Sequence, residues 1–418
     1  MFVFKKIFCL CLVAALALLP CGVLADEVPE ELEQERGNIV TEYYSPDLTD
    51  PIKVGAAETV AGVGATLEIP AKSYILMEVN TGEILYESES HMKLPPASIT
   101  KVMALLLVVE AIESGQLTLE TMLTASPHAC SMGGSQIWLE PNEQMSVHDL
   151  LKAAVIGSAN DATVVLGEAL AGSEEGFVGM MNERAGQLGL SDTTFINCTG
   201  LDADGHLTSA HDIAVMSKEL IKHDIIKQYS TVWMDSLRNG ESELVNTNKL
   251  VRYYEGCTGL KTGTTSGAGC CLSATAERQG LELVAVVMGC STSNDRFNGA
   301  RKLLDYGFAN YSFVKVTADD KDLTPIPVKG GIKTSVMPEC DTFESFLIEK
   351  SKAKTLTLKT ELSEMLKAPV TAGQQVGVVR VCVDGAEIGT VKITAKESIK
   401  KLTFFESFKI LLKNLFYV

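Results

Sequence analysis

The chain predicts an α+β fold: an antiparallel sheet flanked by helices with a helical subdomain, then a small all-β domain and a C-terminal amphipathic helix. Three observations carry that prediction. Two hairpin-like strand pairs, around Asn80 and around Gln279, enclose a long block of helical pattern. The run from Ile99 to Ile112 is apolar on nearly every side, so it belongs in the middle of a large domain. Beyond Phe308 the composition turns to short alternating segments between turn residues.

At 418 residues the chain has room for two or three domains of about 100–200 residues each. Apolar residues make up 46% and the mean hydropathy is +0.15, which fits a well-packed globular protein with some membrane-seeking sequence. Thirty-six basic against 53 acidic residues leave a net charge of −17. No basic stripe interleaved with aromatics is present, so nucleic acid is excluded as a partner.

The elements follow in order. Residues 1–25 read as an export signal: Lys5 and Lys6 charged, Ile7 to Leu19 apolar, and Val23-Leu24-Ala25 a cleavage site before Asp26. A lipoprotein signal ending at Cys21 is the runner-up, which Pro20 fits poorly. Residues 26–65, acidic and then rich in small residues, read as a flexible spacer. The first domain spans 66–312. In it, Ser73 to Val79 and Glu83 to Tyr86 flank the turn Asn80-Thr81-Gly82. Pro95 and Pro96 bar helix before them, Ser98 sits where one can begin, and Gly115 can end it.

Ser146 opens a capped helix to about Ile156, Gly157-Ser158-Ala159-Asn160 breaks it, and Asp161 to Leu170 resumes. Phe177 to Leu188 is a further helix, and Thr208-Ser209 opens one to about His223. Strand character returns at Thr258 to Thr264, then at Gly269 to Ala276 and Leu281 to Met288, joined by Glu277-Arg278-Gln279-Gly280. Asn294 to Tyr306 closes the domain as a helix. The small all-β domain spans 313–396. Residues 397–418 form the amphipathic helix, whose longest apolar run is four residues, far short of the ~20 of a spanning helix. With Lys400, Lys401, Lys409 and Lys413 it suits a helix lying on a membrane surface against anionic lipid; docking on the β domain is the alternative.

Eleven cysteines become eight once 1–25 are removed. Most lie in apolar stretches and no C-x-x-C spacing exists, so mostly reduced thiols are expected, acting as small buried hydrophobes.

Chemistry gathers at Ser98 and Lys101. Three residues apart on a helix, a hydroxyl and an amine share a face, and burial would strip the amine of its proton and make it a base. The pair alone says little, since Ser-x-x-Lys recurs at Ser90/Lys93, Ser312/Lys315, Ser351/Lys354 and Ser398/Lys401. Two distant motifs single it out. Ser158-Ala159-Asn160 lies 60 residues on, at a helix break, and Lys261-Thr262-Gly263 lies 103 residues further, at the start of a strand. The order S-x-x-K, S-x-N, K-T-G on those elements is a strong signal. The six histidines are dispersed and the cysteines supply no close ligand set, so no metal and no cofactor is expected. Asp202, Asp204 and His206 read as a braced polar loop near the cleft. Arg296 is either a substrate contact or a surface charge, and Cys270 and Cys271 read as packing on opposite faces of one strand.

With these motifs the sequence resembles the active-site-serine penicillin-recognising enzymes, specifically the low-molecular-weight D-alanyl-D-alanine carboxypeptidases. Family-like stretches are Pro96-Ala97-Ser98-Ile99-Thr100-Lys101, Ser158-Ala159-Asn160-Asp161-Ala162, Asn197-Cys198-Thr199-Gly200-Leu201-Asp202 and Gly259-Leu260-Lys261-Thr262-Gly263-Thr264-Thr265. The likeness runs from about Leu67 to Phe308, the β domain and tail fit the same group, and sporulation-type Gram-positive members look closest.

The resemblance implies a β-lactamase/transpeptidase-like domain over 66–312 that acts as a serine D,D-peptidase. Ser98 would attack the carbonyl between two terminal D-alanines of a peptidoglycan stem peptide. Lys101 would take the proton, its pKa lowered by burial and by Lys261. Ser158 would relay a proton to the departing D-alanine, and Asn160 would bond the peptide chain. Lys261 with Thr262 or Thr264, on the strand that includes Gly263, would receive the terminal carboxylate, and the N–H groups of Ser98 and Thr264 would form the oxyanion hole. β-Lactam antibiotics would be trapped on Ser98, at the outer face of the cytoplasmic membrane. A serine β-lactamase is one alternative, although no glutamate occupies a clear deacylating motif between Ser158 and Lys261. A catalytically silent wall-binding scaffold is the other, and the intact motif set argues against it.

Overall fold

The structure, a computed structural model, describes residues 61–416 except 341. The export signal expected over 1–25, and the spacer up to residue 60, lie outside the described residues. The last of the expected spacer is engaged rather than free: Ala61 packs on the core and its carbonyl accepts from Asn310 Nδ2 at 2.8 Å.

Five strands form one antiparallel sheet: β1 (Ser73–Glu78), β2 (Ile84–Ser88), β3 (Cys257–Thr265), β4 (Gly269–Arg278) and β5 (Leu281–Cys290), in the order β2-β1-β5-β4-β3. The two expected hairpins are therefore joined edge to edge through β1 and β5. The turn between β4 and β5 is Gln279 and Gly280, both in the left-handed region that a two-residue turn matching strand twist requires.

The helical block between β2 and β3 comprises α1 (Lys101–Glu113), α2 (Val147–Val155), α3 (Asn160–Ala171), α4 (Glu174–Gln187) and α5 (Ala210–Ile221), with shorter pieces between. Ser146 and Ser209 cap α2 and α5, each accepting from the amide three residues on, at Asp149 and Asp212. The closing helix is α6 (Ser293–Asn310). The sheet lies between helices: α5 packs on β1 and β5 on one side, and α6 covers β1, β4 and β5 on the other. Phe297, Ala300, Leu303 and Leu304 of α6 meet Leu76, Leu272, Leu283, Ala285 and Val287 there. α1 is buried from Lys101 through Val109, as its all-round apolar sequence requires.

Residues 311–395 form a second, all-β core around Val328, Val379, Val381, Val391 and Ile393. The tail departs from expectation at its start. Ile399 is buried and bridges Val370, and Lys401 bridges Gly331, so residues 399–401 belong to the β domain. The amphipathic helix is α7 (Phe404–Phe416), where the alternating pairing of the sheet edge has ended. Its Phe404, Phe405, Phe408 and Leu411 are exposed. Among the described residues no helix is long and apolar enough to cross a membrane.

Candidate active site

The Ser98 turn is not the first turn of α1. Ala97–Thr100 form a 3₁₀ turn leading into it, with Ala97 in the left-handed region at φ 49°, a strained state for a non-glycine residue. The surroundings hold that turn from three sides. A Cβ on Gly200 would sit 1.9 Å from the Ala97 carbonyl oxygen, and one on Gly263 would sit 3.0 Å from Ser98 N and from Pro96 O. Thr100 Oγ1 donates to the Ala97 carbonyl at 2.9 Å. His206 stands behind Thr100: its Nδ1 accepts from Ile196 N at 3.0 Å, so Nε2 carries the proton and donates to Thr100 Oγ1 at 2.8 Å. Burial lowers this imidazole to about 4, which keeps it neutral. His206 is a brace, as the sequence suggested.

Lys101 is fully buried. Its amine donates to Asn160 Oδ1 at 2.5 Å and to the Thr199 carbonyl at 2.7 Å, and lies 3.2 Å from Ser98 Oγ. Burial brings its pKa down to about 7, against the pull of Cys198 and Asp161. The expected repulsion from Lys261 falls instead on Lys261, whose amine burial, Lys101 and Arg296 together hold well below the ordinary lysine value. Desolvation is thus the dominant cause at both amines, and both favour the neutral form.

Ser158 sits at the break between α2 and α3, buried, with φ 62°. Asn160 opens α3. Its Oδ1 is on Lys101, its Nδ2 donates to the Gly133 carbonyl at 2.6 Å and its backbone N–H to the Ser135 carbonyl at 2.6 Å. The amide expected to bond substrate is therefore occupied by the loop over it. Asp161, buried, accepts from the amides of Ile137, Leu139 and Ala162 at 2.9–3.2 Å and secures the same loop.

β3 brings in the third segment at the sheet edge beside the Ser98 turn. Lys261 Nζ donates to the Thr262 carbonyl at 3.1 Å, and Thr262 Oγ1 meets Thr247 Oγ1 at 2.7 Å. Arg296 is no surface charge: it is buried, and its Nη1 donates to the Gly263 carbonyl at 3.1 Å and to Thr264 Oγ1 at 2.8 Å. Asp202 ties the end of the strand down, accepting from Thr265 Oγ1 at 2.7 Å and Gly267 N at 3.2 Å, while Asp204 stays exposed. Two buried amines, Lys101 and Lys261, and the Arg296 guanidinium thus converge on one small region of an acidic chain. That suits a site for an anionic group next to a hydroxyl with a base.

Sequence reasoning missed the Thr199 carbonyl, which the turn built on Asn197 delivers. Asn197 Oδ1 accepts from the amides of Thr199 and Gly200 at 3.2 and 2.7 Å. The Asn-x-Thr-Gly spelling was the available signal.

The chain matches the D-alanyl-D-alanine carboxypeptidase family over residues 58–292, and the C-terminal domain of penicillin-binding protein 5 over 311–401. The chain belongs to the D-alanyl-D-alanine carboxypeptidase family. It is accordingly a serine hydrolase of the penicillin-binding-protein type. D-alanyl-D-alanine carboxypeptidase DacF of Bacillus subtilis is 39% identical over 345 residues, 81% of this chain and 88% of that one. The crystal structure of penicillin binding protein 5 from Haemophilus influenzae superposes with a TM-score of 0.68 at 31% identity, covering 81% of this chain and 99% of that one. Penicillin-binding protein D2 from Listeria monocytogenes in its ampicillin-bound form has a TM-score of 0.54 at 32% identity, covering 58% of this chain and all of that one.

Proposed function

We propose that the chain removes the terminal D-alanine from peptidoglycan stem pentapeptides through an acyl-enzyme on Ser98, and that β-lactams are trapped on the same serine. The observation that carries this reading is the Lys101 amine, 3.2 Å from Ser98 Oγ and brought down to about 7. A base poised near working pH is what proton abstraction needs.

Lys101 takes the hydroxyl proton as Ser98 Oγ bonds to the carbonyl carbon between the two D-alanines. The oxyanion meets the N–H groups of Ser98 and Thr264, donors of a kind worth ~3–4 kcal/mol each. Ser158 passes a proton to the departing D-alanine, and water then hydrolyses the ester. Lys261, with Thr262 or Thr264 and with Arg296 behind them, receives the terminal carboxylate. Gly263 lets that strand lie against the nucleophile turn. Asn160 serves first by aligning Lys101, and bonds the peptide chain only by exchanging its contact with Gly133.

The chain acts outside the cytoplasm, at the outer face of the cytoplasmic membrane. The exposed apolar residues of α7 support an interfacial anchor there. The ampicillin held by the Listeria relative supports β-lactam binding.

The test is incubation with a labelled penicillin and, separately, with a peptide ending in D-Ala-D-Ala. Long-lived label with D-alanine release, both lost in Ser98→Ala, is the expected result. Rapid penicillin turnover would make the chain a β-lactamase, and neither signal would make it a silent scaffold.

A further inference from the structure

Beside the site two thiols face each other across the sheet. Cys270 on β4 and Cys290 on β5 are direct register partners, and both pack into the layer between the sheet and α6. Opposed residues of an antiparallel pair stand about 4.5–5.5 Å apart at Cα, inside the roughly 4.4–6.8 Å that a disulfide spans. The ladder is irregular there. The register slips between Cys270 and Leu272, and Gly269 and Gly289, each next to one of the cysteines, hold φ of 68° and 69°. Such a bulge interrupts the ladder and bends the strand locally. The neighbouring Cys271 is committed elsewhere: its Sγ accepts from Gly289 N at 3.4 Å.

The position of the pair links it to the site. On its other side Cys270 is the register partner of Thr264, whose hydroxyl Arg296 holds. Cys290 leads through Ser291 into Thr292, the cap of α6, which carries Arg296 and is closed by a capping box between Thr292 and Asp295. A bond between the two sulfurs therefore ties the strand beside Thr264 to the residue leading into Arg296's helix. None of the roles given above uses either thiol.

We propose that Cys270 and Cys290 form a reversible cross-strand disulfide that switches the carboxylate-binding end of the site. The bond itself is independent of the proposed reaction; only its effect on acylation rests on that reading. The oxidant is a small-molecule disulfide. Cys270, the more exposed thiol, attacks it as thiolate to give a mixed disulfide and release one small thiol. The Cys290 sulfur then displaces the second small thiol, so the protein loses two protons and two electrons and the oxidant is reduced to two thiols. Closure shifts Thr264 against Arg296, and a misplacement of order 1 Å in a positioning group costs about a hundredfold in rate.

The full chain is treated with excess oxidised glutathione, free thiols are alkylated, and peptides are mapped by mass spectrometry alongside acylation by a fluorescent penicillin. The expected result is a linked Cys270–Cys290 peptide and acylation slowed about tenfold or more, both reversed by dithiothreitol. Cys270→Ser and Cys290→Ser, separately, are expected to acylate normally and to ignore the oxidant. Recovery of both cysteines alkylated after treatment overturns the proposal, as does a link to Cys271 instead, or a Cys270–Cys290 link that leaves acylation unchanged. Failure of the untreated chain to acylate strikes at the proposed reaction instead, and the peptide map still decides the bond.

Discussion

The Lys101 amine and Asn160 Oδ1 share a 2.5 Å hydrogen bond that ties the helix behind Ser98 to the helix after the Ser158 turn. Its acceptor is a neutral amide. Nothing in the bond therefore holds the proton on Lys101 as a carboxylate would. Asn160→Asp keeps the shape and adds that charge, which favours the ammonium and raises the lysine's pKa. Acylation of the variant should be slow at neutral pH, with its rise displaced to higher pH. Rates with a labelled penicillin across the pH range check this, and a profile superposing on the wild type would sink it.

Burial of Lys101 has a consequence for stability as well as for rate. Its pKa falls from 10.5 to about 7 on folding. Acylation should therefore grow as pH rises through about 7. Between the two values the unfolded chain holds more protons than the folded one, so this group adds stability as pH rises from about 7 to 10.5; the addition is lost as pH falls back. The melting temperature of the wild type should gain on that of Lys101→Met as pH rises through this window. A constant gap between the two would mean that the amine titrates as an ordinary lysine.

Gly200 accommodates the Ser98 turn by its lack of a side chain. At φ 93° a Cβ there would stand 1.9 Å from the Ala97 carbonyl oxygen, so Gly200→Ala must push the turn away. Acylation should fall about a hundredfold or more. Gly205→Ala is the control, because Gly205 shares the positive φ but a Cβ there meets nothing within 4 Å. Equal losses in both variants would trace the effect to backbone strain and not to the contact with Ala97.

Much of this was legible in the sequence because it rests on local signals. The apolar run of α1, the Ser146 and Ser209 caps and the Glu277–Gly280 turn each follow from residues within a few positions of one another. Two of the motifs also contain Lys101 and Asn160, which meet each other beside Ser98. What stayed hidden depends on contacts between distant segments. The turn at Ala97 lies against Gly200 and Gly263, over a hundred residues away, so closely that neither could carry a Cβ without crowding it. Arg296 looked ambiguous because its partners, Gly263 and Thr264, are on a strand and not on its own helix. The helix begins about two turns after the boundary the sequence predicts, because Ile399 and Lys401 pair with a β domain whose edge no local pattern marks.

That boundary makes the membrane proposal testable without damage to the fold. A chain ending at Thr403 loses all of α7 but keeps Ile399, buried against Val370. A chain ending at Ser398 loses that contact too, and removal of a buried isoleucine costs about 2–5 kcal/mol. If α7 is the anchor, both truncations should stay in the supernatant when spun with vesicles containing anionic lipid, while the longer chain pellets. Only the shorter truncation should melt appreciably lower. Phe404 and Phe405 are 81% and 77% exposed, so Phe404→Ser with Phe405→Ser should weaken vesicle binding without lowering the melting temperature. Full vesicle binding by the chain ending at Thr403 would assign the attachment elsewhere, and the exposed aromatic residues of α7 would then need another partner.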